Sequence, residues 1–273
     1  MKVLAIFTCF NRKEKTKKCI ETLTAGSPEC DFTFVVTDDG STDGTYEMLQ
    51  NMQSNYSIYI LRGNGSWFYS GGMNAGMNYA LQNLSHNFDY MLMINDDVEF
   101  HDKCIQKMIA QSSEQHNAII VGAMCDETNK LSYGAVKYIS GYKYKKIRLD
   151  EWKIKTDTFN ANCVLIPYGA FEKVGAMDSF YKHALGDFDY GLSLKRAGYS
   201  IYQSKFFAGT CNNNDNKGTW TDRSLKRTER IKRKESIKGA PTKQWFYFLN
   251  KNFGVFSAIK GSVTPFVRII IGK

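Results

Sequence analysis

At 273 residues, 43% hydrophobic and 14% aromatic, the chain can bury a sizeable core as one large domain or two small ones. Its seven cysteines are scattered, with no CxxC pair, which excludes a disulfide framework and points to free thiols in a reducing compartment. The net charge of +9 is uneven: 217–273 hold 14 Lys and Arg against 3 Asp and Glu, and the remainder 22 against 24, so a near-neutral body carries a basic tail of the kind that meets phosphate.

The opening "MKVLAIFTCFNR" has a short apolar run and no small-residue cleavage site, so it reads as a strand over 2–10 rather than a signal peptide. A helix follows over 12–25, with Asn11 as its expected cap. The pattern predicts a strand over 32–38, a helix over 43–53 and a strand over 56–63. The Gly-rich "GNGSWFYSGGMNAG" then leads into a helix over 73–84. A strand over 90–96, a helix over 103–113 and a strand over 118–124 complete the alternation. Beyond "GAMCDETNKLSYG" the signal loosens into β-like and irregular segments until a helix over 188–198. Alternation with continuous apolar strands predicts an α/β fold, a mostly parallel sheet with helices on both faces. No apolar run approaches the ~18–20 residues of a spanning helix, so the expectation is a cytoplasmic protein, soluble or peripheral at the inner face of the plasma membrane.

In an open parallel sheet, ligands bind beyond the carboxyl ends of the strands. Asp38 and Asp39 end the second strand, and Asn95-Asp96-Asp97 end the fourth. Clustered carboxylates repel unless a positive charge lies between them, and a hard divalent cation with substrate phosphates is the usual occupant. The plainer alternative is that each pair caps the turn or helix after it. There is no GxxxxGK[ST], and no GxGxxG follows the first strand, so P-loop and dinucleotide sites are weak readings.

"VVTDDGSTDGT" (35–45), "GGMNAGMNYA" (71–80), "MLMINDDVEF" (91–100) and "GAMDSFYKHALGDFDYGLSLKRAGY" (175–199) together resemble the motifs of a family 2 glycosyltransferase with the GT-A fold. The resemblance spans roughly 1–220. It implies a Rossmann-like GT-A domain, with 1–100 as the nucleotide-sugar half and 101–220 as the acceptor and catalytic half. By the same resemblance Asp39 meets N3–H of a pyrimidine base, while Asp38, Thr8 and Asn11 complete the nucleoside pocket. Asp96 lies near the ribose or sugar. Asp97 matches the ligand of Mn2+ or Mg2+, with Asn95 as a second candidate where many relatives have Asp. Asp187 matches the catalytic base, and Gly186 stands where a Glu is common. Capping of the following helix is the alternative for Asp187. Asn162, Asp178, Asp189, His183, Asn74 and Trp67 are expected on the acceptor and sugar side, though His183 and Trp67 fit core positions equally and Asp189 also suits a helix-holding role. Cys211 falls where relatives place a metal-binding His, and Asp215 or a nearby Asn is the candidate substitute.

The tail, 221–273, mixes basic and aromatic residues around Trp245. It is expected to be helical, either lying on an anionic membrane surface or packing on the body. No nucleic-acid motif accompanies it. The combined expectation is a metal-dependent, inverting transferase that moves a sugar from a UDP- or dTDP-sugar to a glycan or lipid-linked saccharide in surface-polysaccharide synthesis. A nucleotidyltransferase on a similar sheet is the alternative, as is a non-catalytic binder of sugar nucleotides or nucleic acid.

Overall fold

The computed structural model describes residues 1–213 and 216–272. Its first half alternates as the sequence predicts: β1 (Lys2–Cys9), α1 (Lys13–Ala25), β2 (Asp31–Asp38), α2 (Thr45–Met52), β3 (Ser57–Arg62), α3 (Phe68–Asn83) and β4 (Tyr90–Ile94). Then come β5 (Glu99–Phe100), α4 (Cys104–Glu114), β6 (Ile119–Cys125), β7 (Leu131–Tyr133), β8 (Ala135–Ser140), β9 (Lys143–Lys146), β10 (Thr158–Phe159) and β11 (Cys163–Pro167). The chain continues through α5 (Tyr168–Val174), α6 (Gly186–Arg196) and β12 (Ile201–Thr210), then α7 (Arg227–Glu235), α8 (Thr242–Phe253) and α9 (Val255–Ile270).

The main sheet has the order β3-β2-β1-β4-β11-β6-β12-β5, with β7 on β6. Strands β3, β2, β1 and β4 run parallel, whereas β11 enters antiparallel between β4 and β6. Its "CVLIP" lies in the stretch where the sequence signal was loosest. Alternate residues of β1 feed opposite cores: Val3, Ala5 and Phe7 one face, Leu4 and Ile6 the other. That period-two split is why a strand covered on both sides reads as one apolar run.

Two local expectations are corrected. Helix α3 begins at Phe68 rather than 73, so the Gly-rich stretch is largely helical. Its glycines serve close packing: a Cβ on Gly72 would stand 2.5 Å from Thr8 Oγ1, and one on Gly76 3.1 Å from Ile6 Cγ2. Asn11 is not a helix cap either. Arg12 takes the cap position of α1 without a side-chain hydrogen bond, and Asn11, at φ 51°, instead ties two strand-end loops together.

The C-terminal helices pack on the body. Phe248, Leu249 and Ala258 join Tyr181 and Leu192 in a small core of their own. Lys251 of α8 bridges Asp178 at 2.8 Å and Asp189 at 2.7 Å, while Asn252 donates to the other Asp189 oxygen at 2.8 Å. Trp245 stacks on Phe248 and donates to the Gly261 carbonyl at 3.0 Å, so it faces inward rather than toward a membrane.

Candidate active site at the strand ends

The carboxyl ends of β2 and β4 bring two acid pairs to one edge, with Asn11 and Arg12 from the end of β1 beside them. Asp38 is fully buried and its Oδ1 accepts from Ser41 N–H at 3.0 Å, while Oδ2 has no partner. Asn11 N–H donates to Ser41 Oγ at 2.9 Å, and Asn11 Oδ1 accepts from Thr42 N–H at 2.7 Å. The loops after β1 and β2 are thereby locked together. Thr8 donates to the Thr37 carbonyl at 3.0 Å, which places it between β1, β2 and the Gly72 contact.

Asp39, 3% exposed, accepts from Gly65 and Trp67 N–H through Oδ1, at 3.0 and 3.2 Å, and from Phe68 N–H through Oδ2 at 2.8 Å. It thus satisfies the orphan amides at the start of α3, where a negative charge is also favoured by the helix dipole. Three amides on roughly four lone-pair positions leave about one for a ligand donor. Trp67 is half-buried over Gly63 and Gly71.

After β4, Arg12 stands between the two acids, its Nη1 3.0 Å from Asp96 Oδ1 and 2.9 Å from Asp97 Oδ2. Burial pushes the Asp96 carboxyl up to about 6, against the opposing pull of Arg12. The Cys211 thiol donates to Asp97 Oδ1 at 3.6 Å and accepts from Asn162 Nδ2 at 3.4 Å. Burial first, and then the Asp97 charge, raise that thiol to about 12. Asn95 N–H donates to the Asn162 carbonyl at 3.2 Å, and its side-chain oxygen is buried without a partner.

Among the described residues no group of three His, Cys, Asp or Glu side chains is placed to hold a metal ion, and Asp215 lies outside them. The two carboxylates nevertheless fit a hard cation of the Mg2+ or Mn2+ kind, which takes one or two protein carboxylates and completes its shell with substrate phosphates and water. Asp97 is the more accessible carboxylate, its side chain 23% exposed against 7% for Asp96.

Asp187 opens α6 after Leu185, which sits at φ 73°. Its Oδ1 accepts from Phe188 N–H at 2.8 Å and its Oδ2 from Ala161 N–H at 3.4 Å. Burial raises the carboxyl to about 6 in spite of these bonds. The Asp187 charge also reaches the buried Tyr69 phenol. His183 has its Nδ1 buried without a partner, packs edge-on against Phe68 and accepts at its carbonyl from Ser70 Oγ at 2.8 Å. Burial lowers its pKa, and Lys238 and Arg12 lower it further, so it is a neutral imidazole close to fixed positive charge.

These contacts form an open chain along the edge, whose two ends, His183 and Asp187, are joined only by the backbone between them. Asp39 holds Phe68, and Phe68 meets His183. Asp187 touches Ala161, whose neighbour Asn162 meets Cys211, and Cys211 meets Asp97. Arg12 and Asn11 carry the chain of contacts back to Asp38. Asn74, Asp178 and Asp189 are engaged elsewhere. Asn74 donates to the Met177 carbonyl and pins α3. Asp178 and Asp189 are taken up by Lys251, and Asp189 is 1% exposed. Sequence reasoning missed Arg12, although a cation directly after Asn11 was the available answer to what neutralises two adjacent acids.

A family model described as "Glycosyl transferase family 2" matches residues 5–175. Among curated proteins, the uncharacterized glycosyltransferase YfnE of Bacillus subtilis (strain 168) is 27% identical over 124 residues, which cover 45% of this chain and 30% of that protein. The uncharacterized glycosyltransferase MG060 homolog of Mycoplasma pneumoniae is 25% identical over 112 residues, 40% of this chain and 36% of its own length. The chain therefore matches about a third of the length of these relatives. Among solved structures, S. aureus TarS 1-349 aligns with 99% of this chain and 81% of its own at TM-score 0.57 and 14% identity, and its complex with UDP-GlcNAc gives 0.59 at 13%, covering 99% and 82%. The mannosyltransferase PcManGT from Pyrobaculum calidifontis, in complex with GDP-Man and Mn2+, gives 0.60 at 10%, covering 99% of this chain and 73% of that one. At these identities the structural likeness establishes the GT-A fold.

Proposed function

The chain belongs to glycosyl transferase family 2, and we propose that it transfers a sugar from a UDP- or dTDP-sugar, with inversion, to a hydroxyl of a glycan or lipid-linked saccharide that becomes part of a surface polysaccharide. Residues 1–100 serve the donor and 101–220 the acceptor. What supports this reading is the convergence of acids: a buried carboxylate at Asp39 with an acceptor position to spare, an acid pair at Asp96 and Asp97, and a raised carboxyl at Asp187 all border one strand edge.

Asp39 offers its remaining acceptor position to N3–H of uracil or thymine, an edge that cytosine and purines do not present in that form. Arg12 sets positive charge beside the diphosphate. A divalent ion, held by Asp97, supplies neutralisation of the leaving diphosphate when bound. Asp187 removes the acceptor hydroxyl's proton as that oxygen attacks the anomeric carbon and the bond to the diphosphate oxygen breaks. With a pKa of about 6, it is ionised at neutral pH yet basic enough to take a proton in the transition state. The neutral His183 lies within reach of the Arg12 charge.

A thermal-shift panel of UDP-, dTDP-, GDP- and CMP-sugars, with and without Mn2+, tests the donor assignment. Stabilisation by the UDP or dTDP members, increased by Mn2+, is expected. A response confined to GDP-sugars would remove the pyrimidine site, and one indifferent to Mn2+ would remove the metal.

A further inference from the structure

Helix α9 turns the wrong face outward for an ordinary surface helix. Its buried positions are Ala258, Gly261, Ser262, Pro265 and Ile269, small residues apart from the last. Its large apolar residues face solvent: Phe256 is 86% exposed, Ile259 and Val263 54%, Val267 48% and Ile270 59%. Their spacing of three or four residues places all five on one stripe, opposite the buried face. Lys260 and Arg268 are exposed along one flank of it. No acidic residue follows Glu235, whereas Lys238, Lys243, Lys251, Lys260 and Arg268 do.

We infer that this outward stripe of α9 docks on an anionic bilayer, with the helix lying in the plane of the interface. No helix among the described residues is long and apolar enough to cross a membrane, and an amphipathic helix with cations beside its apolar face is built to lie on one. Phe256 and the aliphatic residues enter the acyl boundary, while Lys260 and Arg268 remain at the level of the lipid phosphates. A second copy of the chain is the weaker occupant. Two such faces would bring like charge together, and five side chains fall short of the ~20–30 residues a side of a stable protein interface. The inference rests on α9 alone and needs no donor, acceptor or metal. It replaces Trp245, which packs inward, with Phe256 as the leading aromatic contact.

The full chain is sedimented with vesicles of phosphatidylcholine alone, or of equal parts phosphatidylcholine and phosphatidylglycerol. Binding to the anionic vesicles, weakened by salt, is expected. Phe256→Asp with Val263→Asp should reduce it at least about tenfold, as should Lys260→Glu with Arg268→Glu. Unchanged thermal melting verifies that these exposed substitutions leave the fold intact. Absence of wild-type binding, or equal binding by the apolar double variant, overturns the inference. So does light scattering that shows a wild-type dimer dissociated by Phe256→Asp, which would make the stripe a contact between copies. Donor-induced thermal shifts, measured in parallel without vesicles, report on the transferase reading separately.

Discussion

Replacing Lys251 with Met tests whether the C-terminal helices are part of the fold. The substitution keeps the length and packing of the stem but removes the charge that bridges Asp178 and Asp189 at 2.8 and 2.7 Å. Asp189, 2% exposed at the side chain, then loses its cation and keeps the Asn252 amide as a donor. Each ion pair is worth about 6 kcal/mol gross at an effective dielectric of 20, most of which desolvation offsets. Removing one partner of a buried pair typically costs about 3–5 kcal/mol. Because the Lys251 side chain is 30% exposed, the lower end, about 3 kcal/mol, is the expected loss. That corresponds to a fall in Tm of roughly 6–12 °C. Urea denaturation followed by circular dichroism, at pH 7 and at acid pH, measures it. Burial alone would push the Asp178 carboxyl up, but bonds from Lys251, Phe180 N–H and Tyr247 leave it below its ordinary value. A depressed carboxylate stabilises the fold above its unfolded pKa and loses that contribution as pH falls through the folded one. The penalty of Lys251→Met should therefore shrink below about pH 4. A loss under about 1 kcal/mol at pH 7 would refute the reasoning and leave α8 a surface appendage.

Asp187→Asn should lower kcat by about 10²–10⁴ with donor affinity unchanged, and wild-type activity should fall as pH drops through about 6, where the carboxyl takes up its proton. Near-full activity of the variant in a nucleoside-diphosphate release assay would reduce Asp187 to a helix-capping residue. Asp97→Ala should abolish the Mn2+-dependent part of donor binding in calorimetry, and an unchanged metal dependence would exclude Asp97 as the ligand.

Those residues were legible because their signals are local. β2 and β4 are apolar runs that end in acids, and β1 is an apolar run that ends in Asn11 and Arg12, as strands buried on both faces must read. The start of α3 was not legible, because its first amides are satisfied by Asp39, 28 and 29 residues earlier in the chain. A helix capped from another strand carries no capping residue of its own. Gly71 and Gly72 read as a loop for a related reason: the sheet that requires the absence of a side chain at Gly72 is invisible from within the helix. Asp178 and Asp189 were expected on the acceptor side from the family resemblance, with holding the helix as the other reading of Asp189. Their partner, Lys251, lies more than sixty residues downstream, beyond the reach of any pattern. The antiparallel β11 was obscured by its setting, five residues that run straight into α5 and follow the short β10, with no strand–helix alternation around them.

Most acids of this edge already have partners, although Asp38 Oδ2 has none. Asp39 accepts from three amides, Asp96 and Asp97 share Arg12, and Asp187 accepts from the Phe188 and Ala161 amides. An arriving diphosphate adds negative charge to an edge whose acids already share one guanidinium. It can be accommodated only if a further cation joins the acids, or if Arg12 turns from them to the phosphates. The second course alone would leave Asp96 and Asp97 adjacent and uncompensated, and the largely buried Asp96 would answer by taking up a proton, since its pKa is already about 6. On the proposed transferase reading, donor binding is therefore coupled either to cation uptake or to proton uptake at Asp96. Calorimetry in buffers of different ionisation enthalpy separates them, because proton uptake and the proton release that accompanies cation binding shift the heat in opposite directions.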